Sequence, residues 1–213
     1  MRALLSFVLA SVLSCVALPA AAGGVLVLGD SIGAGYGLPP EAGWVHALGE
    51  RLDTVCPGMP VHNASVSGET SAGGRRRLPE LLDRHEPGVV VIELGGNDGL
   101  RGLPVAELRA NLAAIVETAR AAGARVLLLG MRIPPNYGPA YTESFAAAFD
   151  TVAEAASVAY VPFLLEGIAL DESLMQADGI HPNAAAQPAI AAKVWPALKP
   201  LVGSQCDNGD EEG

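Results

Sequence analysis

Short runs of β-branched and aliphatic residues alternate along the chain with longer segments whose apolar positions recur every three or four residues. The short runs predict strands at Val25–Gly29, Val61–Val66, Val89–Leu94, Arg125–Leu129 and Val158–Val161. Val89-Val90-Val91-Ile92 is apolar at every position, the pattern of a strand covered on both faces. Strands separated by helical stretches point to a parallel sheet with helices on both sides.

The clearest helix opens at Pro104, carries Val105, Leu108, Leu112, Ile115, Val116 and Ala119 on one stripe, and stops before Gly123. A second is predicted from Tyr141 to Ala156, with Tyr141, Phe145, Phe149 and Val152 on its apolar face. A third follows Pro182 and runs to Leu198, with a kink predicted at Pro188. Two more are predicted over Ala42–Leu52 and Gly74–Arg84. The expectation is a single five-stranded, doubly wound α/β domain over residues 23–202, followed by an acidic, disordered tail over 203–213.

Composition narrows the partners. Half of the 213 residues are apolar, enough to build a core in one domain. The net charge of −10 excludes a nucleic-acid partner, whose phosphates call for clustered Lys and Arg. Residues 1–22 carry one early positive charge at Arg2, continue with an apolar run from Ala3 to Leu18 and end in alanines. That run is shorter than the roughly 20 residues that cross a bilayer, so the segment reads as a cleaved secretory signal peptide and the protein as periplasmic or secreted, without a stable membrane span. Lipid anchoring at Cys15, in Val12-Leu13-Ser14-Cys15, is the lesser alternative. Without the leader, Cys56 and Cys206 remain as an even pair, for which a disulfide and two free thiols both stay open.

In doubly wound folds, ligands sit beyond the carboxyl ends of the strands, so chemistry is sought in the loops there. The first strand runs into Gly29-Asp30-Ser31-Ile32-Gly33-Ala34-Gly35. No Gly-Lys-Ser/Thr follows and the glycine spacing differs from GxGxxG, which sets phosphate binding aside. Ser31, among residues small enough for a substrate to approach, is a candidate nucleophile. Of four histidines, His46 and His85 fall in or near helical patterns and His62 in a predicted strand. His181 stands in the loop Asp178-Gly179-Ile180-His181-Pro182-Asn183. There Asp178 either caps the following helix or holds the imidazole toward a serine. Ser65-Val66-Ser67-Gly68 and Gly95-Gly96-Asn97-Asp98 each supply unobstructed N–H donors of the kind an oxyanion requires, although either could be a plain turn. Four such loops, each at a strand's carboxyl end, tip the balance toward acyl transfer.

These blocks, in this order and spacing, resemble the SGNH or GDSL hydrolases. Gly29-Asp30-Ser31 is similar to the family's first block, Gly68 to its second, Gly95-Gly96-Asn97-Asp98 to its third and Asp178-Gly179-Ile180-His181-Pro182 to its last. Gly33 departs from the serine frequent there, with little functional consequence expected. The resemblance extends to the periplasmic subgroup of arylesterases, thioesterases and lysophospholipases. It implies a flavodoxin-like three-layer αβα sandwich with Ser31 as nucleophile, His181 as base and Asp178 as its orienter. It also implies an oxyanion hole from the Ser31 and Gly68 N–H groups and the Asn97 amide, and it requires no cofactor or metal. An α/β-hydrolase elbow fits Gly29-Asp30-Ser31-Ile32-Gly33 as a pattern, but there the acid and base lie on separate later loops. Metal ligation by His181, Asp178 and Asp98 lacks supporting His or Cys spacing.

Expected substrates are small acyl esters or thioesters and lysophospholipids, taken by a monomer. The Pro-rich stretch after the fourth strand is either an ordinary connection or, as the resemblance implies, a wall of the acyl site through Ile133, Pro134 and Tyr137. Arg75-Arg76-Arg77 reads as a solvated helix face. A carbohydrate O-acetyl esterase and a non-catalytic binding module are the alternatives.

Overall fold

The computed structural model describes residues 23–206, with the side chains of 204 and 205 left out. The predicted leader, Cys15 and the end of the predicted tail lie outside that range. Five strands form one parallel sheet: β1 (Val25–Gly29), β2 (Val61–Asn63), β3 (Val89–Glu93), β4 (Arg125–Leu129) and β5 (Ala159–Val161), in the order β2-β1-β3-β4-β5. This is the flavodoxin-like arrangement, and the strand order reverses between β1 and β3. Every residue of β1 and β3 is buried, as their apolar runs demand, and the burial extends to Glu93 at the end of β3.

The helices are α1 (Trp44–Val55), α2 (Ser71–His85), α3 (Gly96–Leu100), α4 (Val105–Ala121), α5 (Pro139–Ala156) and α6 (Gln187–Cys206). Helix α1 packs against α6, and α4 lies between α2 and α5. The stripe predicted for α4 is the one it buries, through Leu108, Leu112, Ile115, Val116 and Ala119. Phe145 and Phe149 of α5 meet edge to face, with centroids 5.4 Å apart. Among the described residues no helix is long and apolar enough to cross a membrane.

Differences from the sequence expectation have local causes. Strand β2 stops at Asn63 because the chain leaves the sheet there, although Ala64 and Val66 still donate their N–H groups to Val27 and Gly29. Helix α2 starts at Ser71, three residues early, capped by the Thr70 hydroxyl, which accepts the Gly73 N–H. Pro188 makes no kink: it lies in the first turn of α6, where its missing N–H has no helical partner to lose, while Pro196 and Pro200 lie inside the helix. The expected tail is helical as far as Cys206, which is joined to Cys56 at the end of α1 by a disulfide with a Cα–Cα distance of 5.2 Å. That bridge ties the end of α6 to α1.

Candidate active site

At the end of β1 the chain coils into successive turns. Ala34 N–H donates to Asp30 O at 2.9 Å and Tyr36 N–H to Ser31 O at 2.9 Å, which holds Ser31 at the mouth of the β1–β3 switch point. The indole of Trp44 braces this coil from α1, donating to Ile32 O at 3.0 Å.

Opposite Ser31 stands the loop before α6. Gln176 N–H donates to His181 O at 2.8 Å and Asn183 N–H to Leu174 O at 2.8 Å, so the loop closes on itself as a tight hairpin. Within it Asp178 Oδ1 accepts the N–H groups of Ile180 and His181 at 2.9 and 3.0 Å. Its Oδ2 lies 2.7 Å from His181 Nδ1, and His181 Nε2 lies 2.9 Å from Ser31 Oγ. The structure thus joins Ser31, His181 and Asp178 in one hydrogen-bonded line. The His181 side chain, then the two backbone N–H groups, pull the Asp178 carboxyl down to about 2. Tyr36 lies against the imidazole, with ring centroids 4.5 Å apart.

Two glutamines that sequence reasoning passed over bind this loop to the Ser31 side. Gln176 Nε2 donates to Tyr36 O at 2.7 Å and to Pro182 O at 3.1 Å. Gln187 is buried at the start of α6; its Oε1 accepts the Trp44 N–H at 3.0 Å, and its Nε2 donates to Asn183 O at 3.1 Å. A polar residue on the buried side of a helix start was the available signal.

The other two blocks close the site. The stretch after β3, read as a loop, is the short helix α3. It starts from Gly95, whose φ of +111° suits glycine, and a Cβ there would stand 2.8 Å from the Phe149 ring. Asn97 lies in this helix and donates its amide to Asp30 Oδ2 at 3.0 Å. Gly68, in the loop after β2, has its carbonyl bound by Arg101 Nη2 at 2.9 Å. Asp98 turns away from His181: its carboxylate accepts the Ser71 hydroxyl at 2.6 Å and the Ser71 N–H at 2.8 Å. Arg75 and Arg76 are exposed, as a solvated face requires, while Arg77 is half-buried. It pairs with Glu69 at 2.7 Å and donates to Ala64 O at 3.0 Å, bracing the loop that carries Gly68.

The remaining predicted residues are placed as follows. Ile133 is buried, and its methyl fills the space beside Gly99. Pro134 and Tyr137 are exposed, and the Tyr137 hydroxyl donates to Leu100 O at 2.7 Å, beside the helix of Asn97. His46 faces Glu50, and His62 stacks on His85; none of the three joins Ser31. A groove of about 720 Å³ between α4 and α5, floored by alanines, contains none of the hydrogen-bonded set. Chemistry rather than volume therefore marks the site.

Residues 27–188 match the GDSL-like Lipase/Acylhydrolase family. Over 183 residues the chain is 55% identical to Esterase TesA of Pseudomonas aeruginosa, covering 86% of this chain and 91% of that protein. Over 183 residues it is 44% identical to Thioesterase 1/protease 1/lysophospholipase L1 of Escherichia coli strain K12, covering 86% of each. A crystal structure of TesA superposes with a TM-score of 0.81 at 54% identity, over 84% of this chain and 99% of that one. With the family's blocks brought to one end of one sheet, the chain belongs to the GDSL-like lipase/acylhydrolase family of ester hydrolases.

Proposed function

We propose that the chain hydrolyses carboxylic esters, thioesters and lysophospholipids through an acyl intermediate on Ser31. The observation that carries this reading is the line from Ser31 Oγ through His181 to Asp178, at 2.9 and 2.7 Å. As Oγ bonds to the substrate's carbonyl carbon, His181 Nε2 takes the serine proton and Asp178 steadies the imidazolium. The oxyanion meets the backbone N–H groups of Ser31 and Gly68 and the Asn97 amide, which has one N–H to spare beyond the one held by Asp30. Collapse breaks the bond to the alcohol or thiol, which departs with the proton from His181. Water then attacks the acyl-serine as His181 takes its proton, and Ser31 regains a hydrogen as the acid leaves.

These groups all belong to one chain and supply acid, base and nucleophile, so a monomer suffices and no cofactor is called for. Pro134 and Tyr137, exposed beside the helix of Asn97, wall the acyl side, with Ile133 supporting them from beneath. The breadth of acyl substrates follows the esterase, thioesterase and lysophospholipase names of the relatives. Residues 1–22 serve as a secretory leader into the periplasm, an oxidising compartment that accords with the Cys56–Cys206 disulfide.

A nitrophenyl ester series from acetyl to palmitoyl, given to the chain from Gly23 and to Ser31→Ala, tests this reading. Turnover of the longer acyl chains, lost in the variant, is expected. Activity confined to acetyl esters would transfer the reading to sugar O-deacetylation, and equal rates in both proteins would overturn it.

A further inference from the structure

Strand β3 is apolar until its last residue, Glu93, whose side chain is fully buried and which pairs in register with Gly29 at the end of β1. Its Oε2 accepts the N–H of Asp30 at 3.1 Å and that of Gly33 at 2.8 Å. One oxygen therefore clasps both sides of the turn that carries Ser31. Oε1 is buried and accepts nothing. The backbone is fitted closely around this carboxyl: a Cβ on Gly29 would stand 2.6 Å from Oε2, and one on Gly33 would stand 2.8 Å from it while overlapping Ser65 Oγ. None of the acyl-transfer steps uses the group.

An ionised carboxylate sealed in this core would need more than two N–H donors on one oxygen to offset its lost hydration. Asp30, its neighbour, is better provided, with the Ile32 N–H at 3.0 Å on Oδ1 and the Asn97 amide at 3.0 Å on Oδ2. Burial, and then the charge on Asp30, push the Glu93 carboxyl well above the ordinary range. Burial also raises Asp30, against the opposing pull of Ile32, Asn97 and a hydrogen bond from Glu93. Each carboxyl accepts two N–H groups, but those of Asp30 satisfy both of its oxygens while Glu93 Oε1 is left bare, so one proton shared by the pair belongs on Glu93.

We propose that Glu93 is a positioning residue for ester hydrolysis, a neutral carboxylic acid whose Oε2 clasps the Ser31 turn and whose proton supports the neighbouring Asp30 carboxylate that holds Asn97. The inference rests on reading Ser31 as nucleophile. A neutral amide is the natural substitute for a neutral acid, since the Gln oxygen accepts the same two N–H groups and its nitrogen, like the acid proton, supports Asp30. Leucine fills a similar volume and does neither.

The test compares kcat and KM on a nitrophenyl ester for wild type, Glu93→Gln, Glu93→Leu and Ser31→Ala, with folding checked by circular dichroism. Glu93→Gln is expected to keep kcat within about threefold, and folded Glu93→Leu to lose about 10²-fold in kcat at unchanged KM. Infrared spectra at about pH 8 should show a neutral carboxylic acid band in wild type that is missing from Glu93→Gln. The proposal is overturned if Gln costs as much as Leu, if that band is missing from wild type, or if folded Glu93→Leu turns over at the wild-type rate. Should Glu93→Leu fail to fold, the Gln rate and the infrared band decide. Turnover retained by Ser31→Ala would instead sink the nucleophile reading, whereas an inactive Ser31→Ala beside an unimpaired Glu93→Leu would sink only the role of Glu93.

Discussion

The Asn97 amide donates to Asp30 Oδ2 at 3.0 Å, so the residue beside Ser31 also fixes the residue that faces Ser31 across the site. One amide N–H is committed there, and the other remains for an oxyanion. Asn97→Ala is expected to lower kcat by roughly 10²- to 10³-fold, the cost of one such donor. Asp30→Ala acts partly through the same amide. The double variant should therefore lose less than the product of the two single losses, and steady-state kcat values for the four proteins measure this. Fully multiplicative losses would mean that the two residues act independently.

Asp178 makes three hydrogen bonds within its own loop, all of which favour its charged form. With the carboxyl held at about 2, it stays ionised at every pH where the enzyme works, and the stability it lends is lost only as the pH falls from about 4 toward 2. Asp178→Asn should lower kcat by about 10²- to 10⁴-fold, because the amide presents the imidazole with the wrong hydrogen-bonding pattern. The rate profile between about pH 5 and pH 9 checks this. Recovery to wild-type rates anywhere in that window would contradict an orienting role.

The stacked rings of His62 on β2 and His85 at the end of α2 have centroids 4.2 Å apart. Burial, then the charge that His62 would carry, then Arg84, lower the His85 pKa. The folded protein consequently binds fewer protons than the unfolded chain just below the ordinary histidine value of about 6.5. The stability linked to His85 is complete above that value and declines as the pH falls through it. Thermal melts at about pH 7.5 and about pH 5.5 should show a larger drop in Tm for wild type than for His62→Gln. Equal drops would remove the pair from the acid response.

Much of this was legible in the sequence, for reasons that particular residues make plain. Strands β1 and β4 end where their apolar runs end, and Ser31 and His181 were marked by glycine or proline at fixed places beside them. Asp178 lies in the same loop as His181, so sequence proximity was spatial proximity. Glu93 and Gln176 were not legible, because their importance lies in what the fold buries and brings opposite them, 60 residues away for the Glu93–Gly33 bond and 140 for the Gln176–Tyr36 bond. Helix α3 escaped notice for a related reason. Its five residues are too few for an apolar period, and it is anchored through Asn97 to the turn after β1 and through Asp98 to α2.

The Cys56–Cys206 bridge spans a sequence separation of 150 residues and joins the ends of α1 and α6, away from the Ser31 line. Replacing both cysteines by serine should cost about 2–5 kcal/mol of stability, seen as a lower Tm, while kcat of the folded enzyme stays unchanged. Differential scanning calorimetry beside activity at low temperature checks both halves. A fall in kcat without a fall in Tm would place the bridge in the mechanism instead.

The most direct test of the central claim is to trap the nucleophile. A fluorophosphonate, whose phosphorus accepts attack as an acyl carbon does, is added to the purified chain from Gly23, and the adduct is located by peptide mass spectrometry. The account predicts one adduct per chain on Ser31, formed in step with loss of ester hydrolysis and greatly slowed in a His181→Ala variant. Modification at another residue, or full inhibition with Ser31 unmodified, would contradict it.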